Sequence, residues 1–277
     1  MEPLQGIIPV TGRRVRILSY DRITTDAAPG GGNPLSVSVE QFRRHMEALD
    51  RWGFSTITLS DFLLCRRGDL PYPRKPVILV FNNADRGIYD LVLPVVEPLG
   101  MCGVVFVSPA PSDGGEWLTD SQILEVRERG FEIGSCALGT SLYEGTDDAT
   151  AWQLVSRSRI VLEILLNAPV RSFLYPNKPD HKHLRRMVAD AGFSIACSLQ
   201  AGSPDVGRDM YEVRAMRVFG RTGIPGLFLR LFAPYERAEH LVQRLLLRRR
   251  HRVTTSAIRE NRPLARSRGV LPLTGDA

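Results

Sequence analysis

Residues 76–84 read PVILVFNNA, and this stretch decides the fold. Val77 to Phe81 carry no charge and all favour extended backbone. An apolar run this short, closed by Pro76 on one side and Asn82-Asn83 on the other, is a buried strand of an α/β protein. Such folds place their chemistry where strands end at the carboxyl side. The polar pair Asn82-Asn83 therefore marks a site. Both residues are amides, and an amide neither gives nor takes a proton near neutral pH. The strand ends where an active site belongs, without reactive groups.

Outward from this strand, one junction recurs. Gly53-Phe54, Gly100-Met101, Gly130-Phe131 and Gly192-Phe193 each close a helical pattern and open an apolar run. Glycine ends a helix in the left-handed region without a Cβ penalty, and the next apolar residue packs back. The pattern predicts strands near 15–20, 54–58, 76–81, 103–107, 131–135, 172–175 and 193–197. Helices are expected near 38–52, 60–66, 88–99, 119–129, 148–167, 180–191 and 235–250. Ser38 with Gln41 and Thr119 with Gln122 have the spacing of capping boxes. Alternating helices and strands imply a largely parallel sheet, and right-handed crossovers close or nearly close it. An open doubly wound sheet fits the pattern almost as well.

The chain has 277 residues, 43% of them apolar, which suffices for one large α/β domain. No apolar run approaches the ~20 residues of a membrane span. The start, MEPLQGIIPVTGRR, has only a short apolar stretch and does not read as a secretory signal, so a cytoplasmic protein is expected. Cys65, Cys102, Cys136 and Cys197 form no Cys-x-x-Cys pair and read as free thiols, with Cys102 and Cys197 in the core. The net charge of +6 is carried almost entirely by arginine. GGGN at 30–33 lacks the Lys-Ser/Thr of a phosphate loop and reads as a connector. No nucleotide fingerprint appears, and no nucleic-acid partner is expected. ERAEHLVQRLLLRRRHR at 236–252 is a basic amphipathic helix pattern, suited to packing on its own domain or to an anionic lipid surface.

Several segments together resemble a known family. PVILVFNNA is similar to the strand-ending Phe-Asp-Asp-Gly motif of the polysaccharide deacetylases, the NodB-like carbohydrate esterases. ILSYDRI at 17–23 resembles their Tyr-His-Arg-Ile segment, and residues 33–63 look like the helix and strand that follow it. FEIGSCALGT at 131–140 resembles their His-x-x-x-His motif, and SFLYPN at 172–177 their aromatic-Pro-Tyr motif. The resemblance implies a distorted (β/α)7 barrel over 15–235, preceded by an extension at 1–14 and followed by a basic helix and tail at 236–277.

In that family the first Asp of the pair is the general base, and the second Asp and two His hold a divalent metal, usually zinc. Carried over by position, Asn82 stands at the base, Asn83 at the carboxylate ligand, Cys136 and Thr140 at the two His, and Asp21 at the His of the first segment. None of the five keeps the family's residue. Catalytic zinc takes about three strong protein ligands, and general-base catalysis contributes ~10²–10⁴ in rate. The expectation is a pseudoenzyme without metal cofactor. His45, His181, His183, His240 and His251 all fall outside the motif positions. Arg171, Tyr175, Asn177 and Asp85 are the candidates for lining a sugar cleft. Asp85 reads more readily as a turn residue of NNADRG, and Tyr175 equally as the last core residue of a strand. The late arginine motif of the family has its nearest counterpart in EVRAMRV at 212–218.

Three functions follow as expectations. The first is a non-catalytic protein binding a carbohydrate, a lipid-linked glycan or a protein of polysaccharide assembly. The second is a hydrolase of N-acetyl or ester bonds with altered chemistry through Asp21, Asp85 or Cys136. The third is a membrane-peripheral scaffold acting through 236–252.

Overall fold

The strand read from residues 76–81 lies inside a parallel sheet. The computed structural model describes residues 15–25, 33–109, 115–137, 146–176, 182–199 and 209–232. All lie in the first of two compact units, Met1–Tyr235. The second unit, Glu236–Ala277, and the extension at 1–14 lie outside the described residues, as does the helix expected at 235–250.

In chain order the elements are β1 (Arg16–Tyr20), β2 (Arg22–Thr24), β3 (Ser36–Ser38), α1 (Val39–Arg51), β4 (Ser55–Thr56), α2 (Leu59–Arg67), β5 (Pro76–Phe81), α3 (Leu93–Val96), β6 (Val104–Val107) and α4 (Asp120–Glu128). They continue with β7 (Glu132–Ser135), α5 (Asp148–Leu166), β8 (Ser172–Leu174), α6 (Lys182–Asp190), β9 (Ile195–Ser198), β10 (Val213–Arg214), β11 (Met216–Arg217) and α7 (Ile224–Phe232). The main sheet runs β10-β9-β8-β7-β6-β5-β1-β11, with β4 added on β5. Every pair in it is parallel. β2 and β3 form a separate parallel ribbon.

One kinked segment nearly closes the barrel. β10 pairs with β9, and β11, one residue later, pairs with β1. Between and after them, the Ala215 N–H donates to Ser198 O at 2.9 Å and the Val218 N–H to Ser19 O at 2.8 Å. Counted as one, this segment makes the seventh main strand. The distorted (β/α) barrel is thus the observed architecture, and the open doubly wound sheet is not. The sequence pattern missed this segment because two-residue strands carry no periodicity. It also missed α7, whose Pro225 and Gly226 lie in its first turn, where proline is tolerated.

Alternation along the strands separates two apolar layers. Ile17, Ile78, Val80, Phe106, Leu174 and Cys197 form one buried cluster inside the barrel, with Leu59, Phe62 and Leu63 of α2 at its amino-terminal end. Leu18, Leu79, Val105, Ile133 and Phe173 point the other way, against the helices. Gly134 faces inward by necessity: a Cβ there would meet the Phe106 ring and the Ser172 hydroxyl at 2.5 Å.

The four junction glycines all have positive φ, from +62° to +89°. The expected helix at 88–99 is instead a π turn over Ile88–Val92, α3, and a 3₁₀ turn over Glu97–Leu99. Pro94 and Pro98 explain the break, since each removes a helical donor. Both arms of the Thr119–Gln122 capping box form. At α1 only one arm forms: Ser38 accepts from the Gln41 N–H, while the Gln41 side chain donates instead to the Thr222 carbonyl. All four thiols are free. Cys197 is buried as expected, while Cys102 is only half-buried and Cys65 is the second buried one.

Candidate functional site

β1 and β5 are neighbours in register, Tyr20 opposite Phe81, so the residues that follow them emerge together at the carboxyl end of the barrel. Asp21 and Asn82 meet there. The Ser19 hydroxyl donates to Asn82 Oδ1 at 2.8 Å, and Asn82 Nδ2 donates to Asp21 Oδ1 at 3.2 Å. Asn83 Nδ2 donates to the Asp21 carbonyl at 3.3 Å. An ionised carboxylate only accepts, which orients the Asn82 amide with its NH₂ toward Asp21. Both ends of Asn82 are therefore held by protein groups. A carboxylate at position 82 would stand in hydrogen-bonding distance of Asp21, and like charges that close disfavour joint ionisation. An amide at 82 beside the acid at 21 avoids that repulsion.

A cation joins this group from a strand that the sequence pattern did not reveal. Arg217 of β11 is the register partner of Ser19, so the two side chains leave the sheet on the same face. Burial lowers the Arg217 pKa and the nearby Asp21 charge acts against it. Its Nε has no hydrogen-bond partner among the described residues. The alternation Val213, Ala215, Arg217 is the signal that would have placed Arg217 at the end of an inward row.

The other expected positions divide. Cys136 follows β7 and packs against the interior cluster, and burial pushes its thiol up to about 12. With no ion beside it, it stays a thiol at neutral pH. The next residue, Ala137, has φ +75°, which a non-glycine rarely adopts, as the chain turns away. Thr140, Asn177 and His181 lie outside the described residues.

Asp85 accepts from the Gly87 N–H at 2.8 Å and faces Arg22 Nε at 3.5 Å, the arrangement of a turn residue. Burial raises its pKa, partly offset by Arg22. Of the two readings of Tyr175, cleft residue and last core residue of a strand, the structure shows the second. It is buried among the outer-layer residues, its ring edge-on to Phe173 at 5.5 Å. Its N–H donates to Cys197 O at 2.9 Å. Arg171 precedes β8, so it lies at the opposite end of the barrel, lining a cavity of about 120 Å³ with Ser60 and Arg67. Neither Arg171 nor Tyr175 lines the mouth, because strand direction and parity place them elsewhere.

Behind the mouth lies a buried network absent from the motif reading. His45 Nε2–H donates to the Thr222 carbonyl at 2.7 Å, which fixes the tautomer, and Nδ1 accepts from the Tyr20 hydroxyl at 3.1 Å. Burial first, with the Arg230 charge adding to it, lowers His45 to about 4, although the bond to Thr222 opposes the shift. Arg230 Nε in turn donates to the Arg217 carbonyl at 3.2 Å, tying α7 to β11.

Of the positions that hold a metal in the resembling family, Asn83 offers a carboxamide, a weak donor for a zinc-like ion, and Cys136 a half-buried thiol, while Thr140 lies outside the described residues. Among the described residues, no group of three or more His, Cys, Asp or Glu is placed to hold an ion.

Comparison with known proteins agrees with this architecture. No protein-family model matches the chain. A curated protein of Bacillus subtilis (strain 168) named "Putative polysaccharide deacetylase YxkH" is 21% identical over 205 residues, covering 74% of this chain and 71% of its own. The Streptococcus pyogenes deacetylase PplD, solved in complex with acetate, superposes with a TM-score of 0.70 at 16% identity, over 79% of this chain and 98% of its own. IcaB from Ammonifex degensii superposes at 0.64 with 19% identity, over 76% and 94%. The chain has the NodB-like polysaccharide deacetylase fold. No helix among the described residues is long and apolar enough to cross a membrane.

Proposed function

We propose that this chain is a carbohydrate-binding protein built on the polysaccharide deacetylase fold, and that it does not carry out metal-dependent deacetylation. The observation that carries the reading is the double engagement of Asn82 by Ser19 and Asp21. The position of the family's base is an amide locked in a polar network, with no proton to exchange and no lone pair aimed at a cation. Asp21, Asn83 and Arg217 provide acceptors and donors of both signs at the barrel mouth. That mixture suits neutral sugar hydroxyls, which donate and accept. The reading extends to a cytoplasmic location, to protein partners of polysaccharide assembly, and to an anionic membrane surface contacted by 236–252. Liposome flotation with and without residues 236–277 tests the membrane contact.

Calorimetric titration with an N-acetylglucosamine tetramer tests the central claim. Binding is expected to be saturable, indifferent to EDTA and at least tenfold weaker in Asp21→Ala. Acetate release that EDTA abolishes would overturn it, as would stoichiometric zinc found by mass spectrometry in tag-free protein.

A further inference from the structure

A pocket of about 170 Å³, partly open to solvent, lies between α4, α5 and the end of β6. Its walls are mixed. Ile123 and Leu162 bring apolar surface, while Ser108, Trp117 and Asp120 bring a hydroxyl, an indole and a carboxylate. No described residue of the lining is basic, so an anionic ligand would meet the Asp120 charge without a counter-ion. The combination suits a pyranose. Its C–H face packs on aromatic and aliphatic groups, and its hydroxyls donate to a carboxylate and exchange hydrogen bonds with a hydroxyl. A cavity of roughly 150 Å³ holds one six-membered ring. The pocket is therefore of a size for one sugar unit, with its outer substituents in water.

The pocket is tied to the barrel mouth by the backbone. Ala84, in its wall, directly follows the amide pair Asn82-Asn83. The Leu118 N–H donates to Ala84 O at 2.9 Å, and the Arg86 N–H donates to Glu116 O at 2.9 Å. Between these two bonds Asp85 pairs antiparallel with Trp117. The segment that carries the indole is thus bound to the segment that leaves β5. Gly115 packs on the ring, since a Cβ there would meet the indole at 3.1 Å. Trp117 is held in place relative to Asn83, as a platform for a second sugar unit must be.

We propose that this pocket is a second sugar subsite, and that the ligand is a linear oligosaccharide with one unit at the mouth and a neighbouring unit against Trp117. The proposal rests on the carbohydrate reading of the mouth and adds to it a requirement for linked units.

Calorimetric titration with N-acetylglucosamine and its tetramer tests it. The tetramer is expected to bind wild-type protein about tenfold more tightly than the monomer, the gain of one stacked sugar unit. Trp117→Ala is expected to remove that gain. Val161→Trp, which obstructs the pocket from an exposed position of its lining, gives the same loss without touching the Trp117 loop, and circular dichroism melts establish that each variant is folded. Equal affinity for monomer and tetramer in wild type overturns the proposal, as does unchanged tetramer binding in a folded pocket variant. If Asp21→Ala still weakens the tetramer in that case, the mouth reading stands and the second subsite alone fails. Weakening by the pocket variants but not by Asp21→Ala overturns the placement of a unit at the mouth. Absence of tetramer binding to wild type overturns both readings.

Discussion

The two ends of the barrel each carry an acid, and they use it in opposite ways. At the amino-terminal end, Glu132 of β7 accepts from the Ser60 N–H of α2 at 2.7 Å, beside the Thr58–Asp61 capping box. This carboxylate fastens the helix that plugs the barrel. Burial raises its pKa, opposed by hydrogen bonds from Ser172, Ser60 and Thr58. At the carboxyl end, Asp21 faces amides and an arginine, and the group behind it that must stay neutral is His45. The base spends its charge on structure. The mouth exposes a mixed polar surface over a buried support in which His45 is neutral and Arg230 carries the charge. The contrast separates two roles within one fold: the parts that hold the barrel together are not the parts that line its opening.

The pH dependence of stability should separate the two ends. His45 is lowered to about 4 in the fold, so between pH 6.5 and 4 the unfolded chain binds the extra proton. Stability is then full above the unfolded value and falls with pH, by roughly 3 kcal/mol at most. Urea melts from pH 7 to pH 4 should show this slope, and His45→Gln should flatten it. Glu132 has the opposite sign: its raised pKa favours the protonated native state, so its contribution is present below the unfolded pKa and is lost as pH rises through the folded value. Glu132→Gln should remove that part of the profile while keeping an acceptor for Ser60.

Removing the acceptor is the next largest effect. Glu132→Ala strands a buried N–H at the start of α2 and should cost about 2–3 kcal/mol in a denaturant melt. A neutral result would mean that α2 does not need this anchor. Asn82→Asp should cost about 1–2 kcal/mol at pH 7, by setting two carboxylates against each other, and should be milder at pH 4. The double variant Asn82→Asp with Asp21→Asn should recover most of the loss. Failure to recover would show that the pair is not coupled. The smallest effect concerns Cys136. At pH 8 its alkylation by iodoacetamide, followed by peptide mass mapping, should be at least tenfold slower than that of free glutathione.

The sequence by itself determined what depends on near neighbours. The uncharged run Val77–Phe81, the glycines that close helices and the Thr119–Gln122 box are local, because backbone preference and capping act over a few residues. Those signals, with the motif resemblance, fixed the parallel sheet, the barrel and the amide pair at its carboxyl end. Tertiary structure alone decided which side chains meet. His45 reaches a carbonyl 177 residues away, and Arg217 arrives beside Ser19 only because a two-residue strand closes the barrel. Tyr175 leaves the cleft because strand parity sends it to the helix side, and a one-residue shift in register would reverse that. Side-chain direction is set by hydrogen bonds between distant strands, and those pairings are invisible to any short window of sequence.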